Sequence, residues 1–321
     1  MKFTALLSLL AAAPALAADY AVVVSSATNA DAGWAKVTAA LKAKHGAELI
    51  TADTPEKAAE ALKKAQPRWV AFVAKPDEID PEFVRSIHLV SRTMNDDPYG
   101  DFMWGIVTGA TAADALHVAE LKEPLTVKRA LLTTGGVSSG NYSEFFSISD
   151  GSKGSWSMKE GGTVTKGNRK DDNVGMWQRF ADYWNSHDVD VLYTSSHATQ
   201  VNLEMPFSDG SLVSSGDSLY MLDQPGMMKF VRTLSQGAAN GGLWFCSPGN
   251  EKLRQKWVDS AKPLKLTPKT NPKVFVASGN CLIGDAMKAA DSMVVSWISH
   301  QGVAQFVGYT IPTWYGKGGW G

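Results

Sequence analysis

Val274-Phe275-Val276-Ala277-Ser278-Gly279-Asn280-Cys281-Leu282-Ile283-Gly284-Asp285 decides how the chain folds. Val274 to Ala277 is a short run of β-prone apolar residues. Ser278 to Asn280 is a small-residue turn that delivers Cys281 at the strand's C-terminal end. Asp285 to Ser299 has a helical pattern. Strand, tight turn and helix in that order are the unit of an open α/β sheet, whose ligands collect where strands end and helices begin. A helix starting at Asp285 would also aim its first N–H groups at a thiolate on Cys281.

The same pattern occurs earlier. Val189-Asp190-Val191-Leu192-Tyr193-Thr194 is strand-like, and Ser195-Ser196-His197-Ala198 is the turn after it. In a parallel sheet both turns lie on one edge, the placement a Cys–His pair needs for nucleophilic catalysis.

Upstream, strand-like runs at Tyr20–Val24, Ala47–Thr51, Arg68–Ala74 and Phe102–Thr108 alternate with helical patterns at Asp31–Lys44, Thr54–Ala65, Pro81–Thr93 and Thr111–Leu121. This alternation predicts a parallel sheet covered by helices. A second α/β series starts at Lys128. Gly135 to Asp172 is rich in Gly, Ser and Lys and reads as a long excursion or hairpin region. Asn173–His187 is a helix, followed after the His197 turn by a polar loop through Asp217. Pro225–Gln236 is helix-like, Gly242–Cys246 strand-like, Pro248–Ser260 helical, Lys262–Pro272 a connector and Val303–Val307 a last strand. The division expected is residues 18–122 for a first α/β subdomain and 123–321 for a second.

Met1 to Ala17 has the form of a secretory signal peptide: Lys2, an apolar core, and Ala15-Leu16-Ala17 as cleavage site. Export to a periplasmic, cell-surface or secreted location follows from it. The 31 basic and 32 acidic residues of the 321 form no block of one sign, which argues against nucleic acid as partner. No later apolar run is long enough to span a bilayer. The aromatic, Gly-rich stretch from Trp314 to Gly321 suggests that a further C-terminal helix or domain is missing.

Three chemistries compete. In the first, His197 takes the proton of Cys281, and the backbone N–H groups of Ala198 and Cys281 receive the oxyanion. In the second, Gly136-Val137-Ser138-Ser139-Gly140 is a G-x-S-x-G nucleophile elbow, with Ser138, Asp190 and His197 in Ser–Asp–His order. In the third, Cys246 and Cys281 form one disulfide in a non-catalytic binding module. The six histidines include no pair at metal-ligand spacing, so neither metal nor cofactor is expected. Asn95-Asp96-Asp97-Pro98-Tyr99-Gly100-Asp101 carries enough carboxylates for structural calcium, but also reads as a solvated turn with Asx hydrogen bonds.

Leu192 to Ala198, Val274 to Gly284 with its Cys-x-x-Gly, and Asp97 to Asp101 leading into Ile106-Val107-Thr108-Gly109 together resemble the caspase-like cysteine peptidases of clan CD, and most of all the gingipain-like family. The resemblance implies a caspase-like three-layer α/β sandwich with a mostly parallel sheet and two subdomains. It implies His197 and Cys281 as the catalytic pair, acting on a protein or peptide substrate. Ala198 stands where the family usually has Gly, and about 206–273 would be an insertion. Trp314 or Tyr315 would wall the substrate pocket. Glu144 and Asp150 lie in the segment from which an acidic partner of His197 would come.

Overall fold

The computed structural model describes residues 19–122, 124–133, 138–149, 154–205, 209–223, 225, 251–261 and 263–313. The segment expected to be a signal peptide, Asp150, Cys246, Trp314 and Tyr315 lie outside these residues, as do the strand expected at Gly242–Cys246 and nearly all of the helix expected at Pro225–Gln236.

The first unit runs β1 (Tyr20–Val24), α1 (Ser26–Ala30), α2 (Ala32–His45), β2 (Glu48–Thr51), α3 (Ala59–Ala65), β3 (Trp69–Val73), α4 (Pro81–Val90), β4 (Met103–Val107) and α5 (Ala112–Glu120). Its sheet has the order β2-β1-β3-β4, and all neighbours are parallel. Side-chain caps start α2, α4 and α5. Asp31 accepts from the Gly33 and Trp34 N–H groups, Asp80 from Phe83, and Thr111 from Asp114. Alternate strand residues serve opposite faces. Ala21, Val23, Val70 and Phe72 pack on Leu62, Ile87 and Val90. Val22, Val24, Ala71 and Val73 pack on Trp34, Val37, Leu41 and Ala115. The unit is thus a parallel sheet with helices packed on both faces, as the alternation predicts. Burying one such side chain contributes about 1.5–3 kcal/mol.

The second unit runs β5 (Arg129–Thr133), β6 (Glu144–Ser149), β7 (Ser155–Glu160), β8 (Thr163–Asn168), α6 (Arg169–Asp172), α7 (Met176–Ser186), β9 (Val191–Thr194), β10 (Asn202–Glu204), β11 (Gly210–Ser215), β12 (Ser218–Asp223), α8 (Glu251–Ala261), β13 (Leu264–Lys265), β14 (Lys273–Ala277), α9 (Met293–His300) and β15 (Val303–Gly308). Seven strands form one sheet in the order β15-β14-β9-β5-β6-β7-β8. It is parallel from β15 to β6 and antiparallel from β6 to β8. Of the two readings of 135–172, the hairpin region is the one found: β7 and β8 form a hairpin that extends the sheet at its edge. The polar loop expected through Asp217 is instead part of a second sheet, antiparallel throughout, in the order β10-β11-β12-β13. Gly210-Ser-Leu-Val-Ser-Ser215 is buried along its whole length, so it shows no alternation of polar and apolar positions. Its Ser214 hydroxyl donates to the Val201 carbonyl and its Ser215 hydroxyl to Gln255 Oε1.

The fold is mixed α/β, with three sheets among the described residues. Leu203, Leu212, Leu219 and Met221 of the small sheet join Phe180 and Trp184 of α7, Trp297 of α9, and Leu131, Leu192 and Phe275 of the large sheet in one core. The two units meet through Ala74 and Ile79 on one side and Ala286 and Val295 on the other.

Candidate functional site at the ends of β9 and β14

β9 and β14 are adjacent and parallel, with Val274 opposite Val191 and Ala277 opposite Thr194. The turns carrying His197 and Cys281 therefore leave the same edge of the sheet side by side. His197 is exposed and Cys281 half-buried, so both are open to a ligand.

The turns are joined one residue before each of these side chains. Asn280 is fully buried. Its Oδ1 accepts from Thr194 Oγ1 at 2.7 Å. Its Nδ2 donates to the Ser196 carbonyl at 2.7 Å and to Ser196 Oγ at 3.2 Å. Beyond His197 and Cys281 a second link joins the turns, from Gln200 Nε2 to Asp285 Oδ2 at 3.0 Å. Burial raises the Asp285 pKa, against the hydrogen bonds it accepts from Gln200 and the Met287 N–H.

After His197 the chain folds back as a hairpin. The Glu204 N–H donates to the His197 carbonyl, and the Thr199 N–H to the Asn202 carbonyl. Ala198 and Leu203 between them are an antiparallel pair of the non-hydrogen-bonded kind, so the Ala198 N–H points away from the hairpin. Among the described residues neither the Ala198 nor the Cys281 N–H has an acceptor.

The helix does not follow Cys281 at Asp285. It starts at Met293, and the intervening residues form turns with Met287 and Lys288 at φ 43° and 55°. Asp285 Oδ1 accepts from the Met287 N–H, and the Lys288 N–H reaches across to the Ile79 carbonyl. These tertiary and side-chain bonds outweigh the helix propensity of Ala-Met-Lys-Ala-Ala. A helix N-terminus at Cys281 is therefore ruled out. Its place is taken by Thr313, whose N–H donates to Cys281 Sγ at 3.3 Å while its carbonyl accepts from the thiol at 3.3 Å. Tyr309 to Thr313 runs antiparallel to the turn, with the Leu282 N–H on the Ile311 carbonyl and the Gly284 N–H on the Tyr309 carbonyl. A Cβ on Gly284 would lie 2.8 Å from the Gly308 carbonyl oxygen, so only glycine fits this approach.

Cys281 is a free thiol among the described residues, and Cys246 lies outside them. Asp190 accepts from the Lys128 and Arg129 N–H groups where β9 begins, at the opposite edge of the sheet from His197, so Ser138, Asp190 and His197 do not form a triad. Ser138 is exposed and precedes a single 3₁₀ turn rather than a helix. Glu144 pairs with Arg129 at that same far edge and does not orient His197. In the acidic loop, Asp97 and Asp101 accept from the Tyr99 and Met94 N–H groups, so the carboxylates serve the turn. Among the described residues no group of His, Cys, Asp and Glu could hold a metal ion, and no helix is long and apolar enough to cross a membrane.

A cavity of about 350 Å³ lies elsewhere, at the C-terminal ends of the first sheet, lined by Asp53, Glu56, Phe72, Asp80 and Phe83 among others. Asp53 accepts from the Ser26 N–H, Glu56 from the Ser86 hydroxyl, and Asp80 from the Phe83 N–H. His197 and Cys281, the pair singled out in the sequence, lie at the β9–β14 edge and do not line this cavity. Comparison with protein-family models, with curated proteins and with solved structures finds no match to this chain.

Proposed function

We propose that the protein is an exported cysteine endopeptidase of caspase-like, gingipain-like type, with Cys281 as nucleophile and His197 as general base, residues 18–122 forming its first subdomain and 123–321 its catalytic one. The observation that carries this reading is the hydrogen-bonded meeting of the two turns at the ends of adjacent parallel strands. His197 takes the Cys281 proton, and the thiolate attacks the carbonyl carbon of a peptide bond. The oxyanion is received by the N–H groups of Ala198 and Cys281, each such donor being worth about 3–4 kcal/mol. The imidazolium then protonates the departing amine, leaving a thioester. Water, deprotonated by His197, attacks it, releases the carboxylate and restores the thiol. General base action of this kind contributes ~10²–10⁴-fold. Trp314 and Tyr315 follow Thr313, whose backbone touches the sulfur, which supports giving them the substrate-facing role. The substrate is a protein or peptide.

The test is cleavage of a peptide library by the wild type, Cys281→Ala and His197→Ala in parallel. Activity is expected to fall roughly 10³-fold or more in both variants, since paired catalytic groups act as a unit. Equal cleavage by wild type and Cys281→Ala would end the proposal.

A further inference from the structure

We propose that Asn280 is a positioning residue for the Cys281–His197 pair, holding the peptide plane before His197 at a fixed distance from the backbone of Cys281. The inference rests on the peptidase reading and adds a residue that neither the strand pattern nor the turn composition singles out.

The Ser196 carbonyl belongs to the same peptide plane as the His197 N–H. The bond from Asn280 Nδ2 therefore grips the plane from which His197 departs. Asn280 itself is joined directly to Cys281. One side-chain amide thus spans the gap between the two backbones, with one residue on each side of it. Its orientation is fixed by chemistry, because a carbonyl only accepts, so the NH₂ must face Ser196 and the oxygen must face Thr194. Thr194, Ser196 and Asn280 are all buried, where such bonds are shielded from competing water. The Ser196 hydroxyl donates in turn to the Glu204 carbonyl, which extends the hold to the hairpin carrying Ala198. Gln200 and Asp285 close the far side, so His197 and Cys281 lie between two cross-links. A reacting pair misplaced by about 1 Å loses on the order of 10²-fold in rate.

Asparagine meets this need in a way its neighbours in chemistry do not. Alanine reaches neither partner. Aspartate keeps the acceptor for Thr194 but sets an oxygen against the Ser196 carbonyl, and regains a donor only when protonated.

The experiment uses the full chain with Cys246→Ser, so that iodoacetamide reports Cys281 alone. Alkylation rate is measured against pH for the parent, His197→Ala, Asn280→Ala and Asn280→Asp, alongside circular dichroism and kcat and KM on a cleaved peptide. Asn280→Ala and Asn280→Asp are expected to slow alkylation at pH 7 by about tenfold or more and to lower kcat with KM little changed. Asn280→Asp should recover toward acid pH as its carboxyl takes up a proton. If Asn280→Ala does not fold, the isosteric Asn280→Asp decides. A folded Asn280 variant with the parent's alkylation profile overturns the positioning role. A parent profile identical to that of His197→Ala instead overturns the peptidase reading, so the two failures are distinguishable.

Discussion

Lys273 enters β14 fully buried, its ammonium donating to the carbonyls of Asn271 and Gln301 and lying 5.5 Å from the Trp184 ring centre. Burial pushes its pKa down to about 7. The unfolded chain then holds this proton more tightly than the folded one between pH 7 and the ordinary 10.5, and stability rises with pH across that window. We expect a gain on the order of 2 kcal/mol in urea unfolding from pH 7 to 9, flattened in Lys273→Met. Asp285 behaves in the opposite sense. Its raised pKa means that the fold favours the protonated form, so its contribution is greatest in acid and is lost as pH rises through the folded pKa. Asp285→Asn should raise the urea midpoint at pH 7 and lose that advantage at pH 3. Gln200 can turn to meet the new amide, because its Oε1 is buried with no partner.

At the scale of elements, the two parallel strands that flank the site were legible, and the turns between Cys281 and the next helix were not. Val274–Ala277 and Val191–Thr194 announce themselves by apolar, β-branched runs, and their pairing places His197 and Cys281 on one edge as the pattern implies. The late start of α9 was hidden. Asp285 to Ser292 has helical composition, and contacts distant in sequence, with Ile79 and Gln200, together with Asp285's own carboxylate bend it into turns. Asn280 reads in sequence as one more small polar turn residue, since nothing local reveals a partner 84 positions away. The small antiparallel sheet was missed because burial on both faces erases the period-2 signal. α8 is tied to this region by Arg254, whose guanidinium pairs with Asp291 in the interior. Asp291→Ala removes that buried carboxylate and should cost about 3–5 kcal/mol, read as a lowered urea midpoint.

At the scale of the molecule, the first unit supports the turn that follows Cys281. The Lys288 N–H donates to the Ile79 carbonyl, Lys288 Nζ lies 2.9 Å from Asp80, and the Ala110 N–H donates to Ser299 Oγ at 2.7 Å. Ile79 and Ala74 pack against Ala286 and Val295. Water and salt screen the exposed Lys288 in its pair with Asp80, so the apolar contact carries most of the coupling. Ile79→Ala is expected to destabilise by about 2–4 kcal/mol, with circular dichroism and tryptophan fluorescence lost in one transition at a lowered urea midpoint. Two separated transitions would show that the units unfold independently.

The close approach of Gly284 to the Gly308 carbonyl has a practical corollary for anyone diversifying this protein. In a saturation library, codon 284 should return almost nothing but wild type, while its neighbour Leu282, at φ 59°, should be enriched for glycine and asparagine. Tyr309 and Ile311 face outward, so their side chains can vary without pushing the Thr313 backbone off the sulfur.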